Sequence, residues 1–203
     1  MPRTFLIFSF LVCLFSCSKD VPIPAKDDIP QPHIPNAEDY YPLTKGNYWV
    51  YEYYTINTNT GIETFSYKDS IHNVGDTIIN GEKYTHQKHT YQNGNGFLRD
   101  SSGCMVTSSG KILFSCCNFS DSFYFSNSPN NWYTKMIHTD TLIYTPVGSF
   151  HSISLGYIWN YPTGPKYEYV FYGKGLGMSQ YAHWYLPAQV VKIEGRLVKY
   201  HLN

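Results

Sequence analysis

The stretch that decides the fold covers residues 41–55 and reads YPLTKGNYWVYEYYT. From Tyr48 onward most positions are good strand formers, and alternate residues of a strand point to opposite faces of a sheet. Trp49, Tyr51 and Tyr53 therefore share one face, and the positions between them share the other. Both faces carry aromatic side chains, so we expect both to be partly covered.

Turn signals follow this strand at short intervals. Asn80-Gly81 is the strongest of them, because both central residues of a type I′ hairpin turn need positive φ. The segments between the turns leave no room for crossover helices, which favours an antiparallel meander. The turn signals are Asn57–Gly61, Val74–Asp76, Asn80–Gly81, Asn93–Gly96, Ser101–Gly103 and Ser109–Gly110.

The second half is less regular but is also rich in strand formers. After a polar stretch at Ser126–Asn131, further strands are predicted at Thr141–Thr145, Phe150–Leu155, Tyr167–Tyr172 and Val190–Leu202. Helical periodicity is nearly absent, and we expect roughly eight to eleven strands in all. A flat aromatic sheet would leave its edges open to aggregation, whereas a curved sheet covers them. We therefore predict an all-β antiparallel meander curved into a barrel or half-barrel.

The amino-terminal residues have the layout of a secretory signal. Arg3 precedes an apolar run from Phe5 to Phe15, which is about half the ~20 residues that a membrane-spanning helix needs. The run ends in Leu14-Phe15-Ser16-Cys17, which resembles the lipobox of signal peptidase II substrates. Residues 1–16 are thus a predicted signal peptide, and Cys17 is the predicted lipidation site.

The residues after Cys17 read as a tether. Pro22, Pro24, Pro30, Pro32 and Pro35 are mixed with charged residues and almost no large apolar ones. Such a composition favours an extended, disordered chain. We predict a lipidated tether over residues 17–39 and a single all-β domain over residues 40–203.

The charge balance argues against nucleic acid as a partner. The chain has 15 Lys and Arg against 15 Asp and Glu, with a formal net charge of +0. Binding to nucleic acid depends on an excess of basic side chains for phosphate contacts. The predicted partners are instead a membrane, through the lipid on Cys17, and a glycan, an apolar ligand or another envelope protein.

Three sequence patterns are candidates for chemical sites. His86 and His89 lie on opposite faces of a strand and cannot share one metal ion. The glycine-rich segment 173–177 lacks the Gly-Lys-Ser/Thr ending of a phosphate loop and indicates a bend between strands. Acidic residues sit singly, mostly beside turns. We therefore predict no catalytic residue, metal or cofactor, while a hydrolase with an unrecognised site remains the alternative.

Cys104, Cys116 and Cys117 invite a disulfide, because an exported protein meets oxidising conditions. A two-residue turn at Ser109-Gly110 places Cys104 opposite Ser115, and one at Gly110-Lys111 places it opposite Cys117. A three-residue loop from Ser109 to Lys111 places it opposite Cys116. We predict a Cys104–Cys116 bridge across the two strands. Three free thiols and a vicinal Cys116–Cys117 bridge are the alternatives.

Three segments carry a resemblance to a known family: residues 41–51, residues 76–81 (DTIING) and residues 173–177 (GKGLG). Together they resemble uncharacterised envelope lipoproteins of the Bacteroidota, which open with a PLxxGNxWxY strand and carry a late GLG turn. The resemblance implies an envelope location and an all-β fold. It implies no activity. Separately, Ser18-Lys19-Asp20 resembles the short charged signal after the lipidated cysteine of surface lipoproteins in the Bacteroidota, which implies the outer membrane.

The aromatic content is the feature most open to a functional interpretation. Rings on a sheet can bind sugars, and rings that line a barrel can hold an apolar ligand. Tyr and Trp also cover sheets without binding anything. We predict a non-catalytic domain that binds a glycan or an apolar ligand, or that scaffolds an envelope complex.

Overall fold

The computed structural model describes residues 35–91, 93–126, 131–161, 164–184 and 190–203. Within these ranges the chain forms twelve strands and no α-helix. The signal peptide, Cys17 and most of the predicted tether lie outside the described residues. The strands are β1 (Tyr48–Asn57), β2 (Glu63–Ile79), β3 (Glu82–His89), β4 (Asn95–Ser101), β5 (Cys104–Thr107), β6 (Ile112–Ser115), β7 (Ser122–Ser126), β8 (Trp132–Thr145), β9 (Gly148–Tyr161), β10 (Gly164–Gly173), β11 (Gly177–Trp184) and β12 (Val191–His201).

All twelve strands belong to one antiparallel sheet with the order β6-β5-β4-β3-β2-β1-β12-β11-β10-β9-β8-β7. The sheet curls until edge strand β6 packs against β8 and β9. Across this closure the ring centroid of Phe114 lies 4.1 Å from that of Tyr172 in β10. The backbone N–H of Ser115 also contacts Sδ of Met136 at 3.5 Å. The result is a nearly closed barrel, which confirms the predicted all-β curved meander. Its strands outnumber the eight to eleven expected.

Strand β1 lies at the centre of the sheet, between β2 and β12. Trp49, Tyr51 and Tyr53 are buried on its inner face, as the alternation predicted. The indole N–H of Trp49 donates to the carbonyl of Leu176. A Cβ at Gly177 would lie 2.8 Å from the same nitrogen, so only glycine lets the two approach. The inner face of β1 thus organises the core.

The turns follow the sequence with one exception. Asn80 and Gly81 have φ values of 52° and 82°, as the predicted type I′ turn between β2 and β3 requires. The signal at Val74–Asp76 was read wrongly, because β2 continues through it to Ile79. There the register shifts between Asn73 and Gly75, so the glycine marks a β-bulge and not a turn.

The segment before β1 packs onto the barrel. Residues Ala37–Asp39 form a single 3-10 turn whose amino end is capped by Asn36. Ala37 is fully buried, and its N–H donates to Oδ2 of Asp100 at 2.7 Å. The packed region therefore begins a few residues before Tyr40, the predicted start of the domain.

Candidate functional site

The inner face of the barrel encloses a cavity of about 370 Å³. Its wall is mainly aromatic and aliphatic, because the alternation of β1, β2, β10 and β11 directs these side chains inward. Gly96 of β4 contributes a gap in the wall where no side chain projects. The lining residues are Tyr41, Tyr53, Ile71, Gln87, His89, Gly96, Leu98, Met105, Thr107, Leu113, Phe114, Tyr172, Met178 and Tyr181.

Several polar groups of the cavity wall have hydrogen-bond partners within the protein. The amide nitrogen of Gln87 donates to the hydroxyl of Tyr41 at 3.3 Å and to Oδ1 of Asn73 at 2.7 Å. Burial raises the pKa of Tyr41 to about 12, although its bond to Gln87 acts in the other direction. The Tyr41 hydroxyl therefore stays neutral at physiological pH. Its neutrality keeps this part of the wall suited to an uncharged, apolar group.

A second, more polar hollow of about 350 Å³ adjoins the cavity and shares Tyr53 and His89 with it. We call it the vestibule; it is lined by Tyr53, Tyr67, Asp69, His89, Tyr91, Gly94 and Asn95. The ring centroid of Tyr67 lies 4.4 Å from that of Tyr53 and 4.0 Å from that of Tyr91. These three nearly parallel rings form one wall of the vestibule.

Asp69 is the carboxylate of the vestibule. Its Oδ1 accepts three hydrogen bonds, from the N–H and hydroxyl of Thr90 and from the N–H of Tyr91, at 2.8–3.1 Å. Its Oδ2 lies 3.6 Å from Nδ1 of His89, which is longer than a hydrogen bond. One carboxylate oxygen thus fixes the β3–β4 loop, and the other retains acceptor capacity.

A second carboxylate–histidine pair lies on β10 and β11. Nδ1 of His183 is 2.8 Å from Oε2 of Glu168, and the N–H of Trp184 donates to Oε1 at 2.9 Å. The hydrogen bond to Glu168 raises the pKa of His183 above its ordinary value, against the opposing effect of burial. A third pair, Asp140 and His151 at 2.7 Å, is exposed to solvent. These three carboxylates stand singly in the sequence, and the fold brings each of them to a histidine.

A nucleophilic triad is not assembled around these pairs. Where the described residues bring a histidine to a hydroxyl, as in His138 with Ser154 at 2.7 Å and His72 with Ser70 at 2.9 Å, no carboxylate orients the ring. Acyl transfer needs all three groups in sequence. The described residues also contain no group of three His, Cys, Asp or Glu side chains placed to hold a metal ion.

The cysteines adopt a different register from the one predicted. Cys104 faces Ser115, so the choice of Cys116 as its facing residue was wrong. Cys104, Cys116 and Cys117 are free thiols in the structure. Sγ of Cys116 instead contacts the carbonyl oxygens of Pro35 at 3.0 Å and of Gly103 at 3.2 Å. Burial raises the pKa of the Cys116 thiol to about 12, which keeps it protonated. The Cys104–Cys116 bridge stays a prediction.

Fold and site together define a class: a small, nearly closed antiparallel β-barrel with an aromatic internal cavity and a polar vestibule. Two solved structures share this fold. One is a candidate lipoprotein from Parabacteroides distasonis ATCC 8503, with a TM-score of 0.50 and 14% identity over 80% of this chain and 98% of that one. The other is a candidate exported protein with a YmcC-like fold from Bacteroides fragilis NCTC 9343, with a TM-score of 0.53 and 13% identity over 80% and 99%.

Identities this low establish the fold alone. No family model matches the chain, and no curated protein matches it. None of the helices that the structure describes has the length and apolar character to cross a membrane. Three points therefore stay predictions: the family resemblance based on the sequence motifs, the lipid anchor and the ligand.

Proposed function

We propose that this chain is an envelope lipoprotein, held on the outer membrane through lipid on Cys17, whose barrel binds a small apolar ligand without catalysis. The observation that carries the binding is the aromatic cavity. Its volume of about 370 Å³ falls within the ~300–1,000 Å³ that is usual for small-molecule sites. Its wall is mainly apolar, and the polar groups of Tyr41, Gln87 and Thr107 have hydrogen-bond partners within the protein, so an apolar guest gains most from entering.

The position of the amino-terminal segment supports this assignment. Cys116 and Asp100 hold Pro35 and Ala37 at the end of β4 that turns into β5. The vestibule lies at the other end of β4, beside the β3–β4 loop. A tether that reaches the barrel through Pro35 therefore attaches away from the vestibule and leaves it accessible to a ligand.

A glycan is a weaker candidate for the same site. Sugar recognition uses the free face of an aromatic ring, but Tyr67 has Tyr53 stacked on one face and Tyr91 on the other. The hydrolase alternative has one observation in its favour, the Asp69–His89 pair beside the cavity. Since no hydroxyl or thiol of the described residues is hydrogen-bonded to the His89 ring, which would have to act as the base, we place binding first.

Gly96 allows the proposal to be tested. A Cβ built on Gly96 meets only ordinary contacts, 3.7 Å from Cβ of Gln87 and 3.9 Å from Nε2 of His89, and its φ lies outside the left-handed region. Gly96→Leu should fill the cavity without straining the backbone, whereas Gly96→Ala adds only a methyl group. We expect the leucine variant to bind octanol and the uncharged fluorophore N-phenyl-1-naphthylamine at least about tenfold more weakly than the wild type, with the alanine variant close to wild type.

The measurement is titration calorimetry and fluorescence on residues 18–203, with thermal unfolding to establish that each variant is folded. A folded Gly96→Leu variant that binds both probes as tightly as the wild type would show that the cavity is not the site. Binding of neither probe to the wild type, together with binding in a glycan array, would favour the sugar alternative.

A further inference from the structure

Asp69 is a partly satisfied carboxylate at the junction of two hollows. The residue is 9% exposed and lies on the inner face of β2, two positions before Ile71 of the cavity wall. The three hydrogen bonds of Oδ1 are made within the protein, while Oδ2 has only the loose 3.6 Å approach of His89. Oδ2 therefore belongs to a carboxylate that lines the vestibule, has no short hydrogen bond, and is open to accept one from a ligand.

The surroundings of Oδ2 favour a cationic donor. Among the described residues that line the vestibule, none is Lys or Arg, and Asp69 is the only acidic one. Tyr67 is covered on both faces, but the exposed ring of Tyr91 at the end of the stack presents negative π-electron density, which attracts ammonium groups. A carboxylate beside aromatic rings therefore complements a protonated amine, and it opposes a ligand that is itself an anion.

The adjoining cavity sets the rest of the ligand. Tyr53 and His89 line both hollows, which places the apolar cavity directly beside the vestibule. The cavity is apolar and too small for the two acyl chains of a membrane lipid. It suits one short chain or one ring system.

We infer that the ligand is an amphipathic amine, whose ammonium group pairs with Oδ2 of Asp69 in the vestibule while its apolar body fills the cavity. This inference rests on the proposed function, because the apolar body must enter the same cavity. It adds the chemistry of the polar end. The shared apolar body provides affinity, and the ammonium provides selectivity.

Three probes with the same chain separate these contributions: octylamine, octanol and octanoate. In the wild-type protein we expect octylamine to bind at least about tenfold more tightly than octanol, and octanoate to bind more weakly than octanol. Asp69→Asn keeps an oxygen for the loop hydrogen bonds and replaces the charged Oδ2 by an amide nitrogen. It should remove the advantage of octylamine and leave octanol binding unchanged.

Asp140→Asn is the matched control, because Asp140 also pairs with a histidine on this sheet but is exposed and lines neither the cavity nor the vestibule. It should change none of the three affinities. Octanol binding without an advantage for octylamine, or an equal loss of both in Asp69→Asn, would overturn the amine assignment and leave the cavity proposal intact. Failure of all three probes to bind would overturn both. One-to-one stoichiometry, measured by calorimetry, distinguishes cavity binding from adsorption.

Discussion

Buried side-chain amides join the loop before β1 to the sheet by hydrogen bonds, at the barrel end nearest the amino-terminal segment. The side-chain nitrogen of Asn73 donates to the carbonyls of Pro42 and Thr44 at 3.1 and 3.2 Å. Its oxygen accepts from Gln87 at 2.7 Å, which in turn holds the hydroxyl of Tyr41. Asn73 therefore ties the loop before β1 to β2 and indirectly positions a ring of the cavity.

Asn73→Ala should lower the free energy of unfolding by about 2–4 kcal/mol. The truncation removes three hydrogen bonds from a site that is nearly inaccessible to water, although Asn47 still donates to both loop carbonyls and Gln87 keeps its bond to Tyr41. Asn59→Ala, at an exposed turn position, should change it by less than about 0.5 kcal/mol. Urea unfolding of both variants checks the expectation; equal effects would mean that water replaces the amide of Asn73.

The strands show which parts of the fold could be predicted from the sequence. The alternation of β1 and the Asn80-Gly81 turn were predictable because each depends on neighbouring residues. The prediction of a turn was wrong at Gly75, because a bulge and a turn both use glycine and only pairing with the partner strand distinguishes them. The strands β7 and β11 were missed, as was the first part of β8. The aromatic lining was expected, but Asp69 meets His89 only through the pairing of β2 with β3, which local spacing does not reveal.

The β10–β11 pair has a predictable pH response through His183 and Glu168. Because the folded state raises the pKa of His183 above 6.5, it binds the proton more tightly than the unfolded chain does. The resulting stabilisation is fully present below pH 6.5 and is lost as the pH rises through the folded-state pKa. Unfolding free energies measured from pH 5 to 9 should therefore fall more steeply over this window for the wild type than for His183→Gln.

The matched control for that experiment is His151→Gln, which removes an exposed histidine from its pair with Asp140. Exposed pairs contribute little to stability, so this variant should follow the wild-type curve closely. If His183→Gln also follows it, the Glu168–His183 contact does not persist in solution.

In the molecule as a whole, the two ends of β4 lie beside different features of the barrel. The β4–β5 turn receives the amino-terminal segment, since Asp100 binds Ala37 and both Cys116 and Gly103 lie against Pro35. The β3–β4 loop at the opposite end forms part of the vestibule. The residues that contact the amino-terminal segment and those that line the vestibule are thus separated by the length of β4, which is the arrangement that the proposed anchored binding domain requires.

The last prediction concerns the proposed lipid anchor. Residues 14–17 read LFSC, and Cys17 carries the only thiol in the predicted lipobox, so Cys17→Ala removes the lipid acceptor. Attachment by acyl chains depends on the apolar surface that they bury, whereas electrostatic attachment weakens in salt. We expect wild-type protein to stay with membranes after a high-salt wash and Cys17→Ala to move into the soluble fraction. Cys104→Ala, in the barrel, is the control and should remain with the membranes. A Cys17→Ala protein that still pellets after the wash would show that attachment does not depend on lipid at this residue.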